Sequence, residues 1–155
     1  MPISTNKFKK TLGSFATGVT VVTTSLDNKS YGLTVNAFSS LSLDPPLVLI
    51  CIDKKSESNK ILRRSKIFAV NILNQNQKHL SKIFSDSTNR NRFRDVKTTT
   101  KTTGSPIIAN SLGYIDCTVK KIISAGDHNI FIGNIESLNN RNLDPLIYYR
   151  GNYLG

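Results

Sequence analysis

Leu112 to Ser124 and Asn129 to Ile135 are two runs rich in β-branched residues, separated only by Ala125-Gly126-Asp127-His128. Branching at Cβ stiffens χ1 and favours a pleated, extended backbone, so both runs read as strands. Further runs offer them partners: Val19–Thr24, Tyr31–Ala37, Leu47–Ile52, Ile67–Leu73 and a short Pro145–Tyr149. Asp27-Asn28 reads as a turn, and Pro45-Pro46 ends a serine-rich connection. Helical signals are fewer. Ser4 or Thr5 ahead of Phe8, Leu12 and Phe15 predicts a helix ending by about residue 17, where Gly13 and Gly18 interrupt it. Ser56–Leu62 looks like a capped helix start, and Gln75–Phe84 places Leu80, Ile83 and Phe84 on one helical face. Residues 85–105 are polar, with Thr98–Thr103 of low complexity, and predict a long loop.

About six strands with short helices between them predict an antiparallel barrel. At 155 residues, with 38% hydrophobic side chains and no internal repeat or linker, residues 1–155 are expected to form a single domain. Leu47–Ile52, the longest apolar candidate, falls far short of the roughly 20 residues that span a bilayer. Met1–Lys10 is polar, carries three lysines and has no apolar signal core, so a cytoplasmic protein is expected. Cys51 and Cys117 are too few and too far apart for a disulfide framework or a zinc site; no metal is expected, and both read as free thiols in apolar stretches. Twenty-one Lys and Arg against ten Asp and Glu leave a formal charge of +11, which favours an anionic partner. The charges are dispersed, densest at Asn89–Arg94, and read mainly as solvated surface with a minority facing phosphates.

Four segments carry chemistry. Gly32–Leu47 contains Thr34, Asn36, Ser39, Ser40 and Ser42, short polar side chains that let a planar heterocycle or a phosphate approach the backbone; the same composition also suits a plain strand-joining turn. In Lys54–Lys60, Ser56 or Ser58 caps a helix whose free N–H groups, with Lys54, Lys55 and Lys60, suit an anion. Gly126-Asp127-His128 holds a histidine whose tautomer a neighbouring carboxylate can fix. His79, among Lys78 and Lys82, reads as surface. The aromatics of Pro145–Tyr153, beside Arg150, either stack on a flat ligand or pack the end of the barrel.

In order, these segments resemble the flavin reductase family, the FMN-binding split-barrel proteins that include the reductase components of two-component flavin monooxygenases. The likeness runs from Phe8 to Tyr153. It rests on Phe15–Thr23, Gly32–Leu47, Asn71-Ile72-Leu73 with Arg92-Phe93, Gly126-Asp127-His128 with Ile130–Gly133, and Pro145–Tyr153. Asn36-Ala37 departs from a common serine pair, and Tyr114 stands where tryptophan is frequent.

The resemblance implies a mainly β, Greek-key split barrel with a few short helices, homodimeric, with flavin sites at the subunit interface. It implies Thr34, Val35, Asn36, Ala37 and Phe38 along the isoalloxazine, Ser39 and Ser40 toward the ribityl phosphate, Cys51, Ile52 and Asp53 along the flavin, and Ser56 and Ser58 at its phosphate. Phe84 and Arg90–Phe93 would close over the site, and Gly126, Asp127, Tyr149 and Tyr153 would complete the cofactor set. His128 would be the catalytic-site residue beside the nicotinamide. The implied activity is NAD(P)H:flavin oxidoreduction with FMN or FAD and NADH or NADPH, supplying reduced flavin to a monooxygenase partner. Two rivals remain at this level: a split-barrel protein that keeps its flavin and reduces another acceptor, and a basic nucleic-acid-binding barrel. The second would need exposed aromatics interleaved with Lys and Arg, whereas Phe68 and Phe131 lie in apolar runs.

Overall fold

A computed structural model describes residues 2–154. Seven strands form one antiparallel sheet: β2 (Thr20–Leu26), β3 (Lys29–Val35), β4 (Phe38–Ser42), β5 (Leu47–Asp53), β6 (Ile67–Ile72), β9 (Gly113–Ala125) and β10 (His128–Asn140). Their order is β3-β2-β6-β9-β10-β5-β4. The outermost strands, β3 and β4, are consecutive in the chain and joined only by Asn36-Ala37. The sheet is therefore curled, with its two edges meeting at one corner. A smaller sheet of β1 (Thr17–Gly18), β11 (Ile147–Tyr149) and β12 (Asn152–Leu154) stands beside it, and β7 (Thr98–Thr99) pairs with β8 (Ile107–Ile108). The helices are α1 (Thr5–Leu12), α2 (Glu57–Ser65) and α3 (Lys78–Ser85). Among the described residues no helix is long and apolar enough to cross a membrane.

The expected mainly β class holds, and the differences have local causes. Phe38–Ser42, read as a serine-rich connection, is an edge strand: short hydroxyl side chains are tolerated there because its pairing with β5 supplies the backbone bonds. The helix expected over Gln75–Phe84 begins as a 3-10 turn capped by Asn74, and only Lys78–Ser85 is α-helical. Asp27 and Asn28 both take positive φ, the twist that a tight hairpin between β2 and β3 requires. The long 85–105 loop is irregular apart from the two residues of β7.

One core fills the curled sheet, with Val22, Ile50, Phe68, Val70, Cys117 and Phe131 at its centre. A second, around Val21, Leu73, Phe84 and Leu146, packs α3 and the small sheet against the outside. Strand alternation explains the division: Val22 and Val21 are neighbours that point to opposite faces. Cys117 is a fully buried free thiol, and burial pushes its pKa up to about 12; Cys51 is free and half-buried.

Gly133 lies where β10 slips register against β9, under Phe68 and Cys117. A Cβ there would stand 2.5 Å from Phe68 Cζ and 2.9 Å from Cys117 Cβ, both immobile in the core. Gly133→Ala is expected to destabilise the fold by about 1–3 kcal/mol through overpacking. Chemical denaturation of the two proteins checks this, an unchanged midpoint counting against it.

Candidate functional site

Two hollows and one turn gather most of the polar residues of interest. The first hollow, about 1090 Å³, lies between β3, the start of α2, the end of α3 and the 87–94 loop. Thr34, Ser56, Ser58 and Phe84 line it. The second, about 580 Å³, is open and largely apolar, lined by Phe15–Gly18, Asn36, Ala37, Phe38, Ser39 and Cys51. The residues between these groups face elsewhere because strands alternate. Val35 and Ile52 point into the core, so only their backbone is available to a ligand. Ser40 and Asp53 lie exposed on their strands.

The first hollow has the chemistry of an anion site. Ser56 is the N-cap of α2 and accepts from Ser58 N at 3.2 Å, leaving the positive end of the helix directed outward. Asp53 steadies the approach, its Oδ1 accepting from Lys55 N at 2.8 Å and its carbonyl from Ser56 N at 3.0 Å. Lys29, Lys55, Arg90, Arg92 and Arg94 line the hollow against a single carboxylate, Glu57. Arg90 and Glu57 are 4.0 Å apart but mostly exposed, so their pairing contributes little.

The loop over this hollow is latched to β3. Arg92 donates to Gly32 O at 2.7 Å and to Asp86 O at 2.9 Å. Phe93 meets Phe84 edge to face, with ring centroids 5.0 Å apart, directly over Gly32. Thr34 Oγ1 donates to Ser81 O at 2.7 Å, tying β3 to α3. The sequence marked Arg92-Phe93 but gave no sign of its partner: Gly32 is needed because both rings rest on it.

The third element is the turn before β10. Gly126 takes φ +59°, and His128 opens the strand paired with Ala125 on β9 and Asp53 on β5. His128 Nδ1 lies 2.7 Å from Asp127 Oδ1. That hydrogen bond, and secondarily the imidazole's charge, hold the Asp127 carboxyl below the usual carboxylate range. An ionised Asp127 only accepts, so Nδ1 carries the proton and Nε2 is left free. Since its folded pKa is depressed, Asp127 strengthens this link at neutral pH and loses it as pH falls through the lowered value. Lys54 fastens the turn from outside: its backbone N donates to Asp127 O at 2.9 Å and its Nζ to Gly126 O at 2.7 Å.

Tyr149 and Tyr153 line neither hollow. Tyr153 Oη is 2.6 Å from Ser81 Oγ, and its ring packs against Tyr148. Tyr149 is flanked by the Arg150 guanidinium, 5.1 Å from its ring centroid. Both belong to the small sheet, whose β1 borders the second hollow.

Gly32→Ala would set a Cβ 2.9 Å from Phe84 Cε1 and 3.1 Å from Phe93 Cζ. We expect a loss of about 1–3 kcal/mol and faster tryptic cleavage within the 86–94 loop. Limited proteolysis giving the same cleavage rate as the parent would contradict the latch.

A flavin reductase like domain model matches residues 12–155. The reductase subunit HsaB of a flavin-dependent monooxygenase from Mycobacterium tuberculosis is 41% identical, over 99% of this chain and 83% of its own length. The reductase component of a Rhodococcus opacus 4-nitrophenol monooxygenase is 34% identical, over 98% of this chain and 81% of its own. Among solved structures, the flavin reductase PheA2 superposes with a TM-score of 0.91 at 39% identity, covering 98% of this chain and 97% of its own. The Streptomyces globisporus NADH:FAD oxidoreductase SgcE6, solved with NAD and FAD fragments, does so with a TM-score of 0.92 at 30% identity, over 97% of this chain and 91% of its own. With the family model spanning nearly the whole chain and the fold matching at this level, the chain belongs to the flavin reductase-like family.

Proposed function

We propose that this protein is an NAD(P)H-dependent flavin reductase that takes FMN or FAD and supplies reduced flavin to a flavin-dependent monooxygenase in the cytoplasm, residues 1–155 acting as one flavin-binding domain. The observation that carries this reading is the short segment Asp53–Ser56. At one end it is the register partner of His128, and at the other it caps the helix that faces the cationic hollow. A hydride donor and a phosphorylated acceptor brought to these two places share one rigid support.

The residues present suit a flavin: a serine-capped helix end and cationic walls for phosphate, an aromatic edge at Phe84, and an apolar hollow bordered by Asn36, Ala37, Phe38, Ser39 and Cys51. Ser56 and Ser58 would hold the phosphate, while Ser40, paired with Val48 toward the other end of β5, would serve the ribityl side. Thr34, Asn36 and the backbone of Val35, Ile52 and Asp53 would meet the polar edge of the ring. A bound flavin supplies the redox chemistry, accepting hydride from the reduced nicotinamide. Gly126 and Asp127 set the position of His128, whose free Nε2 would orient the nicotinamide nucleotide. Tyr149 and Tyr153 would support the border of the second hollow through β1. Orientation of two bound reactants is a large part of what such a reaction needs from a protein.

His128→Ala is expected to slow hydride transfer about ten- to a thousandfold, the range for losing a positioning or acid–base contact. Stopped-flow reduction with each flavin and each nicotinamide in turn measures this, and an unchanged rate would remove His128 from the site. The same traces tell a dissociable substrate from a retained prosthetic group, because only the latter leaves the purified protein yellow and bleached by NADH.

A homodimer is part of the proposal. Phe8, Leu12 and Phe15 are exposed on or just after α1, Phe15 at 76%, and Phe15 borders the second hollow. A second copy lying over this apolar strip would finish the open hollow. Phe15→Ser is expected to shift the protein toward monomer and weaken flavin binding about tenfold, the scale of one buried aromatic lost. Sedimentation velocity and fluorescence quenching read the two effects; a variant that stays dimeric with unchanged affinity counts against this interface.

A further inference from the structure

Behind the histidine turn lies a buried pair of amides that the reading above does not use. Asn129 follows His128 on β10, and strand alternation sends the two side chains to opposite faces. His128 and its partner Asp53 face outward, whereas Asn129 and its partner Ile52 face inward. Asn129 is 4% exposed, and its Nδ2 donates to Asn59 Oδ1 at 3.0 Å. Asn59, 3% exposed in the first turn of α2, donates through its own Nδ2 to Ile52 O and Asp53 O, both at 3.3 Å. Its backbone N returns to Ser56 O at 3.1 Å.

We propose that Asn129 is a positioning residue for hydride transfer, acting through Asn59 to lock the start of β10 against the capped first turn of α2. The proposal rests on the reading that His128 meets the nicotinamide and that this helix end meets the flavin phosphate. The chain Asn129–Asn59–Asp53 then joins the two binding places by directional bonds in a dry interior. A buried amide left without its partner costs more than the bond itself returns, so the pair tolerates one register and penalises slippage. An apolar pair of the same size would fill the space but would not fix direction. Lys54 holds the same turn from the solvent side, leaving the amide pair as its inner anchor.

Asn129→Leu, near in volume and without a donor, tests this beside His128→Ala. In flavin-saturated stopped flow with NADH, Asn129→Leu is expected to transfer hydride about tenfold to a hundredfold more slowly. Its flavin Kd, read by fluorescence quenching, should stay within about threefold of the parent, because Ser56 and its cap are untouched. In the ligand-free protein, amide hydrogen exchange over residues 125–129 should quicken about tenfold, the scale of one buried hydrogen bond lost. If His128→Ala is slow but Asn129→Leu transfers hydride at the parent rate, this inference alone fails. If His128→Ala also keeps the parent rate, the reading beneath it fails and takes the inference with it. Should Asn129→Leu be destabilised, the double variant Asn59→Leu with Asn129→Leu leaves neither side-chain amide unpaired, Asp53 O keeping its bond from Ser56 N, and is expected to regain part of the stability while staying slow. A hydride rate that recovers along with stability would overturn the proposal.

Discussion

The pairing of β10 with β5 on one side and β9 on the other is the interaction on which the rest of the structure depends. β10 runs for 13 residues, and its first half is bonded along both edges, so its start cannot slide without breaking two ladders. A one-residue slip would also turn Phe131 out of the core and His128 into it. The position of His128 is therefore a consequence of core packing several residues away. β5 shares this constraint, and it runs directly into the capped start of α2. The His128 turn and the capped start of α2 are thus fixed by a single strand pair.

Around this pair the fold leaves other parts less tightly held. The 86–94 loop is fastened at few points: Arg92 to Gly32 and Asp86, Phe93 to Phe84, and Asx turns in which Asp86 and Asn89 bond to backbone two residues on. Such a segment can shift as a unit when its latch opens, because few buried contacts oppose it. It also carries three of the arginines beside the first hollow. The arginines are thus on the loop wall, and Lys55 and the serine-capped helix are on the wall opposite.

The strands of the main sheet were legible in the sequence because β-branched runs such as Val19–Thr24 and Ile67–Leu73 carry their conformation locally. The Asp27-Asn28 turn and the Ser56 cap were legible for the same reason: each depends on residues within three positions of itself. β4 was not, since nothing in Phe38–Ser42 favours a strand until β5 lies beside it. The site was legible as segments but not as surfaces. Thr34–Phe38 reads as one ligand-lining stretch, whereas the pleat sends Thr34 to one hollow and Val35 into the core, and the chain leaves β3 there, so that Asn36–Phe38 border the other hollow. Asn59 and Asn129 are ordinary polar residues in the sequence, 70 positions apart, and only the sheet register brings them together.

The choice of neutral amides at that junction follows from where it lies. A buried ion pair would hold the same two elements, but desolvating both charges costs as much as the pairing returns, or more. It would also place a fixed field beneath the turn that carries His128. An amide pair bonds with comparable direction, carries no net charge and has no proton to gain or lose near neutral pH. The charged groups that the protein does use here, Lys54 and Asp127, are exposed, where water screens them. The junction is thus held by uncharged groups in the dry interior, and its charges are kept at the surface.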